Sequence, residues 1–212
     1  MESNRGDNML SFREAKLNEM GELYRLRYRS YCETKKFLPT ENYPNGMESD
    51  SLDPFSVHFV ALNGSNAEIT SLVGGFRLIR SNPLGFPCEQ TFKFDIPASR
   101  PEQRVELSRF VIAPDSRPMW MAILEGLCRE IYRYSTSSSV LYCYAVMEDN
   151  LLKLLTRLGL PFEKLGEGKW HMGAVTYPTV LSMKVLEAVT PVNNAMFWTY
   201  LNAQSEEQPS WL

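Results

Sequence analysis

The run Val140-Leu141-Tyr142-Cys143-Tyr144-Ala145-Val146-Met147 carries no charged residue and no polar alternation. A strand with no polar face is buried on both sides, so the sheet that contains it must be covered by helices. The neighbouring sequence supplies them. From about Pro118 to Tyr134, the residues Met119, Ala122, Ile123, Leu127, Ile131 and Tyr134 recur at helical spacing, with Pro118 suited to a first turn. A second helix is predicted from Asp149-Asn150 through Leu158, closed by Gly159 and Pro161.

Upstream, Met20, Leu23, Tyr24, Tyr28 and Tyr31 predict an amphipathic helix over residues 17–33. A long Pro-, Asn-, Gly- and acid-rich loop follows, from Phe37 to Phe55. Val57–Leu62 and Ile69–Ile79 read as a hairpin turning at Asn63–Asn66, and Arg104–Ile112 as the next strand. Phe162–Leu165 and Val180–Val185 suggest a last strand pair, and Val192–Leu201 a short docking helix. The order predicts one α/β (α+β) layered domain over residues 11–203, a mixed central sheet flanked by helices, with loose ends at 1–10 and 204–212.

A net charge of −3 gives no basic field that would recruit nucleic acid. The polar N-terminus lacks a signal-peptide core, and no apolar run reaches the roughly 20 residues that span a bilayer. A cytoplasmic protein without stable membrane insertion is expected. The four cysteines are scattered without metal or disulfide spacing, and His58 and His171 have no partners in sequence that suggest a triad or a metal site.

Chemistry concentrates in Arg104-Val105-Glu106-Leu107-Ser108-Arg109-Phe110-Val111, where three charges and a hydroxyl interrupt an apolar strand and demand partners. Strict alternation puts Glu106 and Ser108 on one face and Arg109 on the other, with Val105, Leu107 and Val111. The partners on offer are Arg27, Asp50, Asp53 and Arg77. Two readings stand, structural ion pairs or the polar wall of an active site.

Four motifs add to this. Arg27, Tyr31 and Phe37 are spaced as arginine, aromatic, aromatic. Gly46, Glu48, Asp50 and Asp53 make G-x-E-x-D-x-x-D, Gly75, Arg77 and Leu78 make G-x-R-L, and Glu106, Ser108, Arg109 and Phe110 make E-x-S-R-F. The block resembles the signature of acyl-homoserine-lactone synthases and their relatives, the long-chain N-acyl amino acid synthases and exosortase-associated acyltransferases, an autoinducer-synthase-like branch of the acetyltransferase (GNAT) fold. Lactone synthases usually carry tryptophan at the place of Phe37, phenylalanine at that of Tyr31, and Leu-Pro-Thr where this chain has Ile79-Arg80-Ser81. The stretches Arg27–Glu33, Tyr43–Glu48 and Ser56–Phe59 are more similar to the N-acyl amino acid synthase and exosortase-associated group.

The resemblance implies a three-layer GNAT-like fold and transfer of a long fatty acyl group from an acyl-carrier-protein thioester to the α-amine of an amino acid, without a bound cofactor. It implies Glu106 as base and an oxyanion site of backbone N–H groups at a bulge in the Arg104–Val111 strand. Ser108 is either a hydrogen bond to the carbonyl or leaving thiol, or a sheet serine satisfied by backbone. Acetyltransferases that use coenzyme A normally follow this strand with a glycine-rich loop, R/Q-x-x-G-x-G/A. Here the run is Arg117-Pro118-Met119-Trp120-Met121-Ala122, in which Pro118 removes a donor, favouring acyl-phosphopantetheine on acyl carrier protein. Arg25, Arg29, Lys153 and Arg157 are candidates to dock that acidic partner, or are solvated helix faces. Met119, Trp120, Tyr142, Tyr144 and Met147 are candidates for an acyl tunnel, or are core, with a hydroxyl of Tyr142 or Tyr144 available to orient the amino acid. Two further functions stay open, a lactone synthase taking S-adenosylmethionine, and a non-catalytic module that binds acyl carrier protein or an acyl-amino acid.

Overall fold

The computed structural model describes residues 9–66 and 69–203. Its eight strands are β1 (Met9–Glu14), β2 (Ser56–Asn66), β3 (Ile69–Ile79), β4 (Arg104–Ile112), β5 (Tyr142–Glu148), β6 (Glu163–Lys164), β7 (Lys169–His171) and β8 (Ala174–Ser182). They form one mixed sheet in the order β1-β2-β3-β4-β5-β8-β6, with β7 also paired to β8. The unalternating run is thus interior, as β5, between a parallel neighbour, β4, and an antiparallel one, β8. A parallel pair needs a crossover. Helix α3 (Trp120–Ser137) provides it.

Alternation along β2 divides the two layers. Val60 and Leu62 pack with Leu23 and Leu26 of helix α1 (Met20–Tyr28). Phe59 and Ala61 face the larger core, which holds Ile123 and Leu127 of α3 and Leu152 and Leu155 of α4 (Asp149–Leu158), and is closed by α5 (Met183–Asn193) and α6 (Ala195–Asn202). A short helix, α2 (Pro87–Thr91), lies in the β3–β4 connection. A three-layer arrangement results, with the sheet between helices. Among the described residues no helix is long and apolar enough to cross a membrane.

Several boundaries differ from expectation. The first helix is a 3-10 turn (Leu17–Glu19), α1, and then a π-helical turn over Arg29–Thr34, where the Lys35 N–H reaches the Ser30 carbonyl. The wider turn buries both Tyr31 and Cys32, and such turns are frequent at functional sites. Asn63–Asn66 is not a turn, because β2 continues to Asn66 and pairs with β3 throughout. Pro118 sits in a 3-10 segment, Pro114–Met119, ahead of α3.

The last strand begins earlier than expected, at Ala174, and Met183 opens α5 rather than extending the strand. The helix expected at 192–201 is two helices meeting at Asn194, whose side chain accepts the Phe197 N–H and starts α6. Met9 and Leu10, expected to be loose, belong to β1, and Leu10 is buried. The remaining expected loose ends, residues 1–8 and 204–212, lie outside the described residues.

Candidate active site

The β3–β4 register steps from Arg77 opposite Ser108 to Gly75 opposite Val111, so Arg109 and Phe110 together oppose Phe76. That is a β-bulge, and Arg109 takes the left-handed conformation, φ +55°, that absorbs the extra residue. The Tyr31 hydroxyl donates to the Phe110 carbonyl within the bulge, at 2.9 Å. Burial pushes the Tyr31 pKa up to about 12, so it stays a donor. The bulge also overturns strict alternation. Arg109 does not turn to the face opposite Ser108 but joins the cluster to which Ser108 is bonded.

That cluster is a closed ring of alternating charge. Arg27 binds Glu48 through Nε at 2.5 Å and Asp53 through Nη1 at 2.7 Å. Asp53 also accepts from Arg77 at 3.1 Å, and Arg77 reaches Asp50 at 2.5 Å. Asp50 accepts from Arg109 at 3.1 Å, and Arg109 closes the circuit on Glu48 at 3.0 Å. Three cations meet three anions, and Arg27, Glu48 and Arg77 are at most 1% exposed. Glu48 was not singled out from sequence as a site residue, although its motif contains it; its partner Arg109 became available only through the bulge.

Burial opposes charge at Arg27, Asp50 and Asp53, and the contacts win. Glu48 and Asp53 together lift the Arg27 pKa. Arg77 holds the Asp50 carboxyl below the usual range, and Arg27 does the same for Asp53. Beside the ring, His58 lies 3.5 Å from Asp53, and burial holds its pKa down to about 4, so it is neutral.

Glu106 stands apart from the ring. It is 3% exposed, makes no ion pair among the described residues, and accepts the Cys88 backbone N–H at 2.9 Å. Burial raises its pKa and the Cys88 N–H pulls it back, leaving a net rise. Ser108 accepts from Arg77 Nε at 3.0 Å, which leaves its own hydroxyl hydrogen to donate.

The strands β4 and β5 pair over Arg104–Leu107 and Tyr142–Ala145 and then part. A cavity of about 540 Å³ opens at the gap. At its polar end are Arg77, Glu106, Ser108 and Arg109, with Tyr31, Lys35 and Phe37 from the π-helical turn and its exit. Its apolar end is walled by Leu124, Leu127 and Ile131 of α3, Leu151 and Leu155 of α4, and Leu186 of α5. The site can therefore hold a polar reacting group and a long apolar tail at once. Phe37 closes over the β7–β8 turn, where a Cβ on Gly173 would lie 2.8 Å from its ring.

Of the tunnel candidates, Met147 lines this cavity and the other four do not. Tyr142 and Tyr144 alternate onto the opposite face from Ala145 and Met147, and Tyr144 is buried between Phe86 and Phe94. Neither hydroxyl reaches the cavity. Met119 packs against the large core and Trp120 is 40% exposed. Leu127 and Ile131, which the sequence marks only as the apolar stripe of a helix, do line the apolar end.

Among the docking candidates, Arg25, Arg29 and Arg157 are exposed, and Lys153 pairs with Asp149 at 2.6 Å. The four cysteines are free and buried, and among the described residues no group of three or more His, Cys, Asp and Glu side chains could hold a metal ion.

Comparison with known proteins follows the same lines. Residues 22–184 match the family model described as N-acyl amino acid synthase FeeM. An acyl-homoserine-lactone synthase of Vibrio anguillarum is 24% identical over 179 residues, covering 82% of this chain and 90% of that one. The structure of BjaI, a coenzyme A-dependent acyl-homoserine lactone synthase, superposes with a TM-score of 0.70 at 20% identity over 93% of this chain and 91% of that one. The structure of FeeM, an N-acyl amino acid synthase from uncultured soil microbes, gives 0.66 at 19% identity over 89% and 99%.

Proposed function

The chain belongs to the N-acyl amino acid synthase FeeM family of acyltransferases, and from that premise we propose that it moves a long fatty acyl group from an acyl-carrier-protein thioester to the α-amine of an amino acid. The observation that carries this reading is the isolation of Glu106: a buried carboxylate that makes no ion pair among the described residues, at the polar end of a cavity whose far end is apolar. The three arginines beside it are neutralised by three acids, so the ring orders the wall while Glu106 remains free to exchange a proton.

The acyl tail lies among Leu124, Leu127 and Leu155, and the thioester sits in the gap between β4 and β5. The acceptor attacks as the neutral amine, its ammonium proton already lost to solvent, and Glu106 accepts one further proton from the nitrogen as the C–N bond forms, directly or through one water. The nitrogen lone pair forms a bond to the carbonyl carbon, and backbone N–H groups at the β4 bulge and the Ser108 hydroxyl stabilise the oxyanion. As it collapses, the C–S bond breaks and the proton held by Glu106 passes to the thiolate, giving an amide and a free phosphopantetheine thiol. No acyl-enzyme is needed. In this reading Arg25, Arg29, Lys153 and Arg157 present positive charge to the carrier protein, and the reaction takes place in the cytoplasm, where that donor is.

The similarity to the Vibrio anguillarum enzyme favours one second reading, acylation of S-adenosylmethionine to give a homoserine lactone. Expression in a bacterium lacking such enzymes, with mass spectrometry of organic extracts, separates the readings. N-acyl amino acids are expected. Acyl-homoserine lactones would replace the acceptor, and full activity in Glu106→Gln would remove Glu106 from the chemistry. Purified acyl-coenzyme A and acyl-carrier-protein donors, compared directly, test the donor.

A further inference from the structure

An acceptor amino acid brings a carboxylate as well as an amine, and a carboxylate entering a largely apolar cavity needs a cation. The guanidinium groups of Arg77 and Arg109 line the cavity, but each is already bound to two acids of the ring. His171, also on the wall, has its pKa lowered by burial and by Arg109, and is neutral near pH 7. Lys35 is the remaining cationic side chain on the lining, and it makes no ion pair among the described residues.

Its ammonium is nonetheless placed. It lies 5.2 Å from the centre of the Tyr31 ring and 5.3 Å from that of Phe37, two aromatic faces that attract a cation without neutralising it. The π-helical turn makes this possible, since its wide bond from the Lys35 N–H to the Ser30 carbonyl brings Lys35 round to the side of Tyr31. Burial lowers the Lys35 pKa from its ordinary 10.5, and Glu148, on the cavity wall at the end of β5, partly offsets this through space without forming a bridge.

We propose that Lys35, held between Tyr31 and Phe37, receives the α-carboxylate of the acceptor and so selects acceptors that carry a free acid. The assignment rests on the reading that the acceptor is an amino acid, and deepens it. It gives the aromatic pair a second purpose, steering the ammonium while leaving its hydrogen-bond donors open. A charge-assisted bond of this kind shifts selectivity by about 10- to 100-fold.

The test is steady-state kinetics of the full chain with a saturating long-chain acyl-carrier-protein thioester, using amino acids and their carboxamides as paired acceptors. The wild type is expected to favour the acid over the amide by about 10- to 100-fold in kcat/KM. Lys35→Met should lose most of that preference through a raised KM for the acid with kcat little changed, and Lys35→Arg should restore it. A purely structural lysine, stabilising the end of its helical turn, would move the melting temperature and leave the acid-to-amide ratio intact. An unchanged ratio in Lys35→Met therefore overturns the assignment while acyl transfer to amino acids stands. A wild type that acylates neither acids nor amides overturns the acceptor reading and Lys35's role with it.

Discussion

At the scale of single residues the site separates two kinds of carboxylate. Glu106 is raised by burial and must be ionised to take a proton, so kcat/KM should fall as pH drops through a value above the ordinary 4.5 for glutamate. Glu106→Gln should lower kcat by about 10²- to 10⁴-fold and abolish that acid limb; a variant retaining both rate and limb would remove Glu106 from the mechanism. Asp50 and Asp53 are shifted the other way. A lowered folded-state pKa adds stability that is complete above the unfolded value near 3.8 and is lost as pH falls through the folded one. Denaturant melts at stepped pH should accordingly lose stability below about pH 4, and a curve flat down to pH 2 would contradict the ring. Tyr31→Phe deletes the hydroxyl that holds the Phe110 carbonyl. It should cost about 0.5–1.5 kcal/mol and slow turnover if the bulge orients the reacting carbonyl.

Among the secondary elements, β1 and α3 meet at a contact that leaves no spare volume. The Phe12 ring lies over Gly126, where a Cβ would fall 2.2 Å from its nearest atom. Alanine is the better helix former by about 1 kcal/mol, but the collision should outweigh that gain and leave Gly126→Ala destabilised by about 1–3 kcal/mol. Adding Phe12→Leu should recover part of the loss, as read by chemical denaturation. β4 was legible to both its ends, and β5 nearly so, because their apolar runs lie between clear breaks. The bulge was legible only through the family resemblance, which implies one in this strand, because Arg109 is not a glycine and nothing in Ser108-Arg109-Phe110 itself announces a left-handed residue. The same blindness hid β1, a six-residue edge strand with two buried side chains, Leu10 and Phe12, whose apolar partners lie on β2 and α3. It also hid the apolar end of the cavity, since a leucine facing a pocket and a leucine facing another leucine have the same helical spacing.

For the molecule as a whole, the parting of β4 from β5 joins the two layers through the sheet. On the proposed function, chemistry would sit at one end of the passage and chain length would be measured at the other, among α3, α4 and α5. The two properties should therefore vary independently. Leu127→Trp, at the apolar end, should shift the product distribution toward shorter acyl groups with the acceptor preference unchanged, as read by mass spectrometry of extracts. An unaltered chain-length profile would place the tail elsewhere.

Because the six-membered ring has no end, it obeys a rule of parity. Neutralising any one member leaves an uncompensated buried charge, and Arg27→Gln should cost about 3–5 kcal/mol. Neutralising one cation together with one adjacent anion restores an even count. Arg109→Gln with Glu48→Gln should therefore be better tolerated than the sum of the two single changes. Variation at these positions in a selected library should appear as matched pairs of opposite sign, with single replacements rare.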